Sequence, residues 1–583
     1  MLKKLSKYMK GLWWMALASA LGMVTEAACE LAMPSLANAI YEMVSTTSDP
    51  EGTRQTVIMY GAGMFCLAIA GLVGGLVTMK TSAEVSQRFA YRLRNDVYQK
   101  ISLFSFKNID TFSTASLTTR LTTDVKTLQN TLMSMLRMLV RGPALMIIAA
   151  IFAVNINAKL SAILLVLIPI IFVLVVVLMK YGFPMFEKMQ RRIDDVNRVV
   201  QENLIGIRVV KAFVREDHEK EKFEDASDKL AAQGAKAAGL MVTAMPVLLL
   251  VFNFVIVYIY YNGAYDAAEG TMQVGQISVF VSYITQVVMN LVMISMQFIQ
   301  IARAKACGDR VVEVLDTEID IVNPENPYIP KAEDVKGKVE FRNVSFKYSK
   351  DDSSADILHN INFTAEPGEI IGVVGGTGCG KSSLVNLIPR LYDVTEGAVL
   401  VDGVDVRDYD MAALRDNIGV VLQKNVLFTG TIRENICWGK QDATDEEIEA
   451  ACKSAQAHDF IMRQPDGYNT VLSQGGLNLS GGQKQRLCIA RAMIKKPKIL
   501  ILDDSTSAVD TATEAKIRES FYNELSDTTV FIIAQRISSV KDADKIIVID
   551  DGELSGVGTN DELLKSNKIY QEIYLTQQKG VLE

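Results

Sequence analysis

The residues with the clearest chemical potential form a glycine-rich loop between an apolar strand and a helix. Gly375, four further residues and then Gly380, Lys381 and Ser382 give the spacing of a phosphate-binding loop. Its glycines let successive backbone N–H groups turn toward one anion, and the helix that follows adds its positive end. Lys381 can reach the β- and γ-phosphates, and the Ser382 hydroxyl can bind Mg²⁺. The residues predicted to bind nucleotide are Gly375, Gly376, Thr377, Gly378, Cys379, Gly380, Lys381, Ser382 and Ser383.

A second apolar strand ends in two acids about 120 residues further on, in the stretch ILILDD. A carboxylate at the end of such a strand commonly holds Mg²⁺ beside a nucleotide. Asp503 is therefore the predicted Mg²⁺ ligand, and ATP and Mg²⁺ are the predicted cofactors. Asp504 directly follows Asp503 and is the second of the two acids.

Between these two motifs lies a second glycine-rich turn that opens a helix, in the stretch LNLSGGQKQRLCIARAMI. The Ser480 hydroxyl and the N–H groups of Gly481 and Gly482 present another helix end suited to an anion. The chain thus has two phosphate-type helix ends but only one loop that carries a lysine. We expect the second end to serve a nucleotide held by another subunit.

The order of these motifs resembles the nucleotide-binding domain of an ATP-binding-cassette (ABC) transporter. The phosphate loop, VVLQ, LSGGQ, ILILDD and SAVD follow one another as they do in that family. RLTTDVKTLQ, GIRVVKAFVRE and VVEVLDTE resemble the intracellular-helix and linker stretches of its type IV exporter half-transporters. The resemblance therefore covers nearly the whole chain and implies ATP-driven export.

The resemblance also implies roles for single residues. Tyr348 would stack on adenine, and the alternative is an ordinary strand tyrosine. Gln423 would touch Mg²⁺ and relay to the membrane domain. Asp510 would cross to the partner chain, and the alternative is a helix N-cap. The signature residues expected to contact the partner's ATP are Leu479, Ser480, Gly481, Gly482 and Gln483, together with Asp510.

Three positions depart from the family pattern. A glutamate usually polarises the attacking water where this chain has Asp504, and a histidine usually contacts the γ-phosphate where it has Gln535. An acidic stretch before the signature is replaced by SQGG, at 473–476. Withdrawing a base by about 1 Å can cost ~10²-fold in rate, and a neutral amide cannot carry the charge of an imidazolium.

These departures predict a degenerate site that binds ATP but hydrolyses it weakly. The intact signature would then complete the hydrolytic site of a second, different half-transporter. Two alternatives stay open at this point. One is a homodimeric exporter that uses aspartate as its base, and the other is a membrane sensor in which ATP binding signals without transport.

Six mostly apolar segments precede these motifs, and each is long enough to span a bilayer of about 30 Å. They lie at roughly 12–33, 56–79, 137–156, 160–180, 239–262 and 274–300. Lys and Arg are concentrated in the N-terminal arm and in the long segments between spans, so both termini are predicted to be cytoplasmic. The expected location is the plasma or inner membrane of a bacterial cell.

The predicted fold is an all-α polytopic membrane domain with long cytoplasmic helical extensions, fused to an α/β ATP-binding cassette domain. The expected boundaries are 1–316 for the membrane domain, 317–337 for a proline-containing linker and 338–583 for the cassette. A net charge of −7 argues against a nucleic-acid partner. The seven cysteines are scattered, with no C-x-x-C pair, as suits a reducing cytosol.

Polar residues inside the spans are candidates for a substrate path. Glu26 and Glu30 lie one turn apart in the first span and could bind a cation or make a structural pair. Arg137 and Arg141 are expected to reach toward headgroups. A polar stripe on the sixth span could line the path or join helices: Tyr283, Gln286, Asn290 and Gln297. A hydrophobic or amphipathic substrate is expected (drug-like, lipid or peptide), with membrane lipid as a further partner.

Overall fold

The chain divides into two units that share the sequence unevenly. The computed structural model describes residues 2–46, 50–331, 333–348, 356–504, 509–524 and 526–582. The membrane unit comprises 1–102 and 114–317, and the nucleotide unit comprises 103–113 and 318–583. The nucleotide unit thus includes a short segment that precedes most of the membrane spans.

Long helices make up the membrane unit. They are α1 (Trp13–Thr46), α2 (Pro50–Ser102), α3 (Val140–Ile156), α4 (Ile163–Ile205), α5 (Glu216–Ala268) and α6 (Val274–Asp316). Helical turns at Thr114–Thr119, Arg120–Asp124, Val125–Ser134 and Met135–Leu139 lead continuously into α3. Shorter helical pieces lie at Leu2–Leu5, Ser6–Met9, Ala158–Ser161 and Ile207–Ala212.

Each of the six predicted spans falls within a helix that is long and apolar enough to cross a membrane. The 53 residues of α2 and of α5 correspond to about 80 Å of helix, far more than a hydrocarbon core of about 30 Å. The extra length confirms the predicted helical extensions. Trp13 and Trp14 are exposed at the start of α1, as an interfacial position requires.

Close helix packing in the membrane unit depends on small residues. A Cβ atom at Gly22 of α1 would lie 2.7 Å from the carbonyl oxygen of Gly74 on α2, so no larger residue fits there. A buried apolar cluster then joins α1, α3, α5 and α6 through residues such as Leu31, Leu145 and Ile259. Packing between facing helices thus holds the unit together.

The described part of the nucleotide unit contains twelve strands in three sheets. The strands are β1 (Val339–Phe346), β2 (Leu358–Ala365), β3 (Ile370–Gly375), β4 (Glu396–Val401), β5 (Val404–Asp405), β6 (Ile418–Val421), β7 (Gly430–Thr431), β8 (Val471–Leu472), β9 (Ile499–Asp503), β10 (Thr529–Ile533), β11 (Lys545–Asp550) and β12 (Glu553–Gly558). The sheet orders are β2-β1-β4-β5, β12-β11-β3-β10-β9-β6 and β7-β8.

Some of the helices in this unit bear on the site, namely α7 (Lys381–Asn386), α8 (Gly481–Met493) and α9 (Thr511–Glu524). Further helices lie at Phe106–Phe112, Met411–Asp416, Ile432–Ile436, Asp445–Ser454, His458–Met462, Asn560–Ser566 and Lys568–Leu582, with single 3₁₀ turns at Gly467–Asn469, Gln474–Gly476 and Ile537–Ser539. Buried apolar clusters lie on both faces of the central sheet, which confirms the α/β class.

The central sheet brings the predicted motifs to one edge. Strand β10 lies between β3 and β9 and runs parallel to both, and its Ile533 is paired with Val373 on one side and Asp503 on the other. The carboxyl ends of parallel strands meet at the same edge of a sheet, where ligands of α/β folds bind. The phosphate loop, the two acids and Gln535 therefore converge there.

Residues 318–331 and 333–337 belong to the nucleotide unit and lie within the stretch 317–337 that the sequence predicts as a linker. Tyr328 forms an isolated bridge with Tyr409, and the Asn323 amide donates to Asp410 at 2.7 Å. The helix Phe106–Phe112 is also part of this unit and begins with a capping box at Ser105.

Candidate functional site

The phosphate loop has the backbone shape that its glycines predict. Strand β3 is buried up to its last residue, and the loop then turns through positive φ at Gly375, Gly378 and Gly380. A Cβ atom at Gly375 would lie 2.1 Å from the carbonyl oxygen of Ile549, so only glycine fits. The loop ends where α7 begins at Lys381, as expected.

The Lys381 ammonium is folded over this loop. Its Nζ atom donates to the carbonyl oxygens of Gly375 at 3.0 Å and Gly376 at 2.6 Å. The Sγ atom of Cys379 lies 3.7 Å from the same ammonium. A phosphate oxygen carries more charge than a carbonyl oxygen and would take over these donors.

The two principal predicted metal ligands are in contact. The Ser382 hydroxyl donates to Asp503 Oδ1 at 3.0 Å. Adjacent ligands of an octahedral Mg²⁺ with bonds near 2.1 Å are themselves about 3.0 Å apart, so this pair fits one edge of such a site. Asp503 is buried, and burial raises the pKa of its carboxyl group, with Asp504 adding repulsion while Ser382 and Lys381 oppose the shift. A divalent cation beside Asp503 would stabilise its ionised form and lower this pKa again.

Asp504 is held by several hydrogen bonds at the position where the family pattern has a glutamate. Its backbone is left-handed (φ +46°), which is uncommon for a residue other than glycine. Its Oδ2 atom accepts a hydrogen bond from Gln535 Nε2 at 2.9 Å, and Gln423 also contacts the carboxylate. Its carbonyl oxygen accepts from Gln485 of α8 at 3.2 Å. Burial raises the pKa of this carboxyl group, while Gln423 and Lys381 lower it.

The signature forms a well-capped helix start. The Ser480 side chain accepts from the Gln483 N–H at 3.3 Å, and the Gln483 side chain accepts from the Ser480 N–H at 2.9 Å. Leu479 is buried beneath this turn, whereas Ser480 and Gly481 are exposed. The 13-residue helix α8 therefore presents its positive end outward.

Asp510 caps the start of α9 in the single chain, which is the helix N-cap role given above as the alternative to contact with a partner chain. Its carboxylate accepts from the Thr513 N–H at 2.9 Å and from the Thr513 hydroxyl at 2.8 Å, and these bonds lower its pKa. Residues 505–508, which include the first two residues of the SAVD motif, lie outside the described residues. A role in contacting a partner chain stays a prediction for Asp510.

Tyr348 lies beside the phosphate loop within a cluster of aromatic rings. Its hydroxyl lies 2.9 Å from Ser383 Oγ, and its ring packs edge-on against Phe346 and Tyr392. The Tyr392 hydroxyl donates to Asp110 at 2.8 Å. Phe346, Tyr348 and Tyr392 border a cavity of about 410 Å³. Sequence reasoning missed Tyr392 and Asp110, which no motif marks.

The membrane unit contains a group of charges that we call the charge triad, comprising Glu26, Glu30 and Arg141. Arg141 Nη1 donates to Glu26 Oε1 at 2.9 Å, and its Nη2 donates to Glu30 Oε2 at 2.7 Å. Both acids are thus paired with Arg141. The expectation that Arg137 and Arg141 reach toward headgroups is wrong, because Arg137 donates to Ser82 and to the carbonyl oxygen of Met79.

The polar stripe on α6 divides into buried and accessible members. Tyr283 is fully buried, and its hydroxyl donates to the Leu31 carbonyl oxygen at 2.9 Å. Asn290 is buried and donates to the Gln286 carbonyl oxygen at 2.8 Å. The Tyr283 bond joins α6 to α1, which is the alternative interpretation of the stripe, whereas the Asn290 bond lies within α6. The place of Gln286, which is partly exposed, and of Gln297 on a substrate path stays a prediction.

The fold and the site together define an ATP-binding cassette joined to a six-helix membrane unit, and comparison with known proteins gives the family. The family model of the ABC transporter transmembrane region matches residues 16–291, and the ABC transporter model matches residues 358–507. The chain is 40% identical over 555 residues to YfiB, an uncharacterized ABC transporter ATP-binding protein of Bacillus subtilis (strain 168), with 95% of each chain covered.

Two further comparisons indicate an exporter. The chain is 32% identical over 575 residues to the ATP-dependent lipid A-core flippase of Hahella chejuensis, covering 98% of this chain and 96% of the flippase. It matches the structure of a bacterial Atm1-family ABC exporter with ATP bound at a TM-score of 0.77 and 27% identity, covering 98% of both. The chain belongs to the ABC transporters and has the exporter fold.

Proposed function

We propose that this chain is the degenerate-site half of a heterodimeric exporter that moves a hydrophobic or amphipathic substrate (drug-like, lipid or peptide) out of the cell. The chain binds ATP and Mg²⁺ at its own site, through Lys381 and Ser382 of the phosphate loop and through Asp503 and Gln423 near the ends of β9 and β6. Its signature, Leu479 to Gln483, caps the ATP of a catalytically stronger partner. ATP hydrolysis at that second site drives transport.

The hydrogen bond between Asp504 and Gln535 carries this proposal. The carboxylate at the position of the base is one methylene shorter than a glutamate and is occupied by a neutral amide donor at 2.9 Å. Hydrolysis needs a base within about 3 Å of the water that attacks. ATP binding depends on other groups, and those groups meet at the sheet edge described above. The site is thus suited to bind ATP without cleaving it rapidly.

The proposal includes a location and an orientation. The six apolar helices support a location in a bacterial plasma or inner membrane, and the distribution of Lys and Arg supports cytoplasmic positions for both termini. The membrane domain ends near 316, and the cassette begins near 338. Residues 317–337 connect them.

One observation favours a second candidate, a homodimeric exporter with an aspartate base. Burial raises the pKa of Asp504, and a raised pKa improves a carboxylate as a general base. In that case, two identical chains would each hydrolyse ATP. The short reach of Asp504 argues against this candidate, and the two differ in a measurable way.

The decisive experiment compares the chain alone with the complex it forms. Tagged chain is purified from its native membranes in a mild detergent, and copurifying half-transporters are identified by mass spectrometry. ATPase rates are then measured for the chain alone and for the complex in lipid nanodiscs. We expect turnover in the complex and at least tenfold slower turnover in the chain alone.

Vanadate trapping and vesicle uptake complete this test. Trapped ADP should label the partner's site and not the site of Lys381. Turnover by the chain alone at the rate of the complex would support the homodimer. ATP binding without substrate uptake or stimulated turnover in either form would support the sensor and contradict export.

A further inference from the structure

We infer that the charge triad is a charge-selective subsite for the transported molecule and takes the head of a singly charged cationic amphiphile. This inference rests on the proposed export function and adds a substrate class to it. It depends on the composition of the triad, its depth, its partial exposure and the side chains beside it.

The triad carries a net charge of −1. Its two carboxylates share a single guanidinium, and each carboxylate gives one oxygen to Arg141. The second oxygen of Glu30 makes a long contact, 3.4 Å, to the Gln286 amide, a neutral donor. A purely structural pair would need one acid and one base. The extra carboxylate leaves an acceptor for a further cation.

The triad lies within the membrane-spanning part of α1 and is not sealed. Glu26 and Glu30 are about 20 Å and about 25 Å along α1 from Trp13 at its start, which places them beyond the midplane of a core of about 30 Å, about 10 Å and about 5 Å from its far boundary. Their side chains are 27% and 38% exposed, and Arg141 is 32% exposed. A net charge at this depth faces water or a polar ligand, because hydrocarbon cannot solvate it.

Helix α6, which carries Gln286 beside the triad, also offers apolar surface. Met289 and Met293 of α6 are exposed, and at 100° per residue they lie within about 60° and about 20° of Gln286 around the helix. Methionine adapts to ligands of varied shape. On α2, Gly75 faces Glu26, since a Cβ atom built there would be 3.1 Å from Glu26 Oε2. An amphiphile could thus place its head on the triad and its apolar body along the methionines.

The test uses two probes that differ in the sign of their charge and hardly in size, tetraphenylphosphonium and tetraphenylborate. Binding of each is measured to the full chain in nanodiscs of neutral lipid, without ATP. The wild-type chain should bind the cation at least tenfold more tightly than the anion. Glu26→Gln and Glu30→Gln each make the triad neutral and should weaken cation binding about tenfold.

The sign of the preference provides the sharpest outcome. The double variant E26Q/E30Q leaves Arg141 alone, with a net charge of +1, and should prefer the borate. Arg141→Gln leaves a charge of −2 and should tighten phosphonium binding. The control is Glu42→Gln, the same change on the same helix, where the glutamate pairs with Gln273; it should bind both probes as the wild type does. Thermal unfolding and gel filtration confirm that each variant is folded.

The result that overturns this inference is equal binding of the two probes by the wild-type chain, or an unchanged preference in folded E26Q/E30Q. Either result would make the triad a structural ion pair. Because this assay needs no ATP and no partner, it can fail while the ATPase and uptake experiments succeed. Conversely, selective probe binding with no uptake would retain the subsite and remove the export function.

Discussion

Changing Asp504 to glutamate and Gln535 to histidine should turn the proposed degenerate site into a hydrolytic one. The side chain of glutamate is longer than that of aspartate by one C–C bond, about 1.5 Å. A misplacement near 1 Å costs ~10²-fold, or about 2.7 kcal/mol of activation free energy. A histidine in place of Gln535 adds a donor that can carry charge, and loss of one such donor typically costs about 10²–10³-fold.

The structure predicts that neither change is sufficient alone. In Asp504→Glu the amide of Gln535 remains available to hold the new carboxylate, as it holds Asp504 Oδ2 now. In Gln535→His the acid remains too short. We expect each single variant to gain about tenfold or less, and D504E/Q535H to gain more than the product, at least about 10²-fold.

The assay measures phosphate release from full-length chain in nanodiscs that contain two copies, selected by mass. Lys381→Ala gives the background rate, because it removes the phosphate-binding ammonium. Asp551→Glu is the matched control, since Asp551 also has a left-handed backbone (φ +45°) but is not one of the predicted site residues. The reasoning is refuted if the double variant binds ATP yet hydrolyses it no faster than the wild-type chain.

Three further predictions concern the same unit. Burial raises the pKa of Asp503, so this carboxylate should take up a proton at a higher pH than a free aspartate does. Lowering the pH from about 7.5 to about 5.5 should therefore weaken Mg²⁺-dependent ATP binding, measured by titration calorimetry. In Asp503→Asn, ATP binding should depend neither on Mg²⁺ nor, through this residue, on pH. Tyr348→Ala should weaken binding of a fluorescent ATP analogue about tenfold, whereas Tyr348→Phe, which keeps the ring, should stay within about threefold. Ser480→Arg should abolish ATPase of the complex while this chain's own affinity for ATP, measured with the same analogue, stays unchanged.

The strongest sequence signals came from backbone requirements and from long apolar runs. The loop at 375–383 needs glycines for its positive φ angles, and the six spans need about 20 apolar residues each, so both could be predicted from the order of residues alone. The approach of Ser382 to Asp503 followed from the rule that parallel strands end together at one edge.

Contacts between distant residues could not be predicted in this way. Arg141 follows Glu26 by 115 residues, and no local pattern marks them as partners. The expectation that Arg137 and Arg141 reach toward headgroups was wrong because it considered their own helix without the helices packed against it. Similarly, Gln535 was recognised as a replacement, but its hydrogen bond to Asp504 depends on how β9 and β10 align.

The division of the chain places a covalent constraint on how this transporter can move. The polypeptide passes between the membrane unit and the nucleotide unit three times, near residues 102, 113 and 317. A single tether would let one body swivel freely, whereas three crossings restrict that freedom. A cassette cut out at residue 338 would also lack the helix Phe106–Phe112, leaving Tyr392 without the carboxylate of Asp110. Neither unit can therefore be separated intact from the other by cutting the chain at a single position.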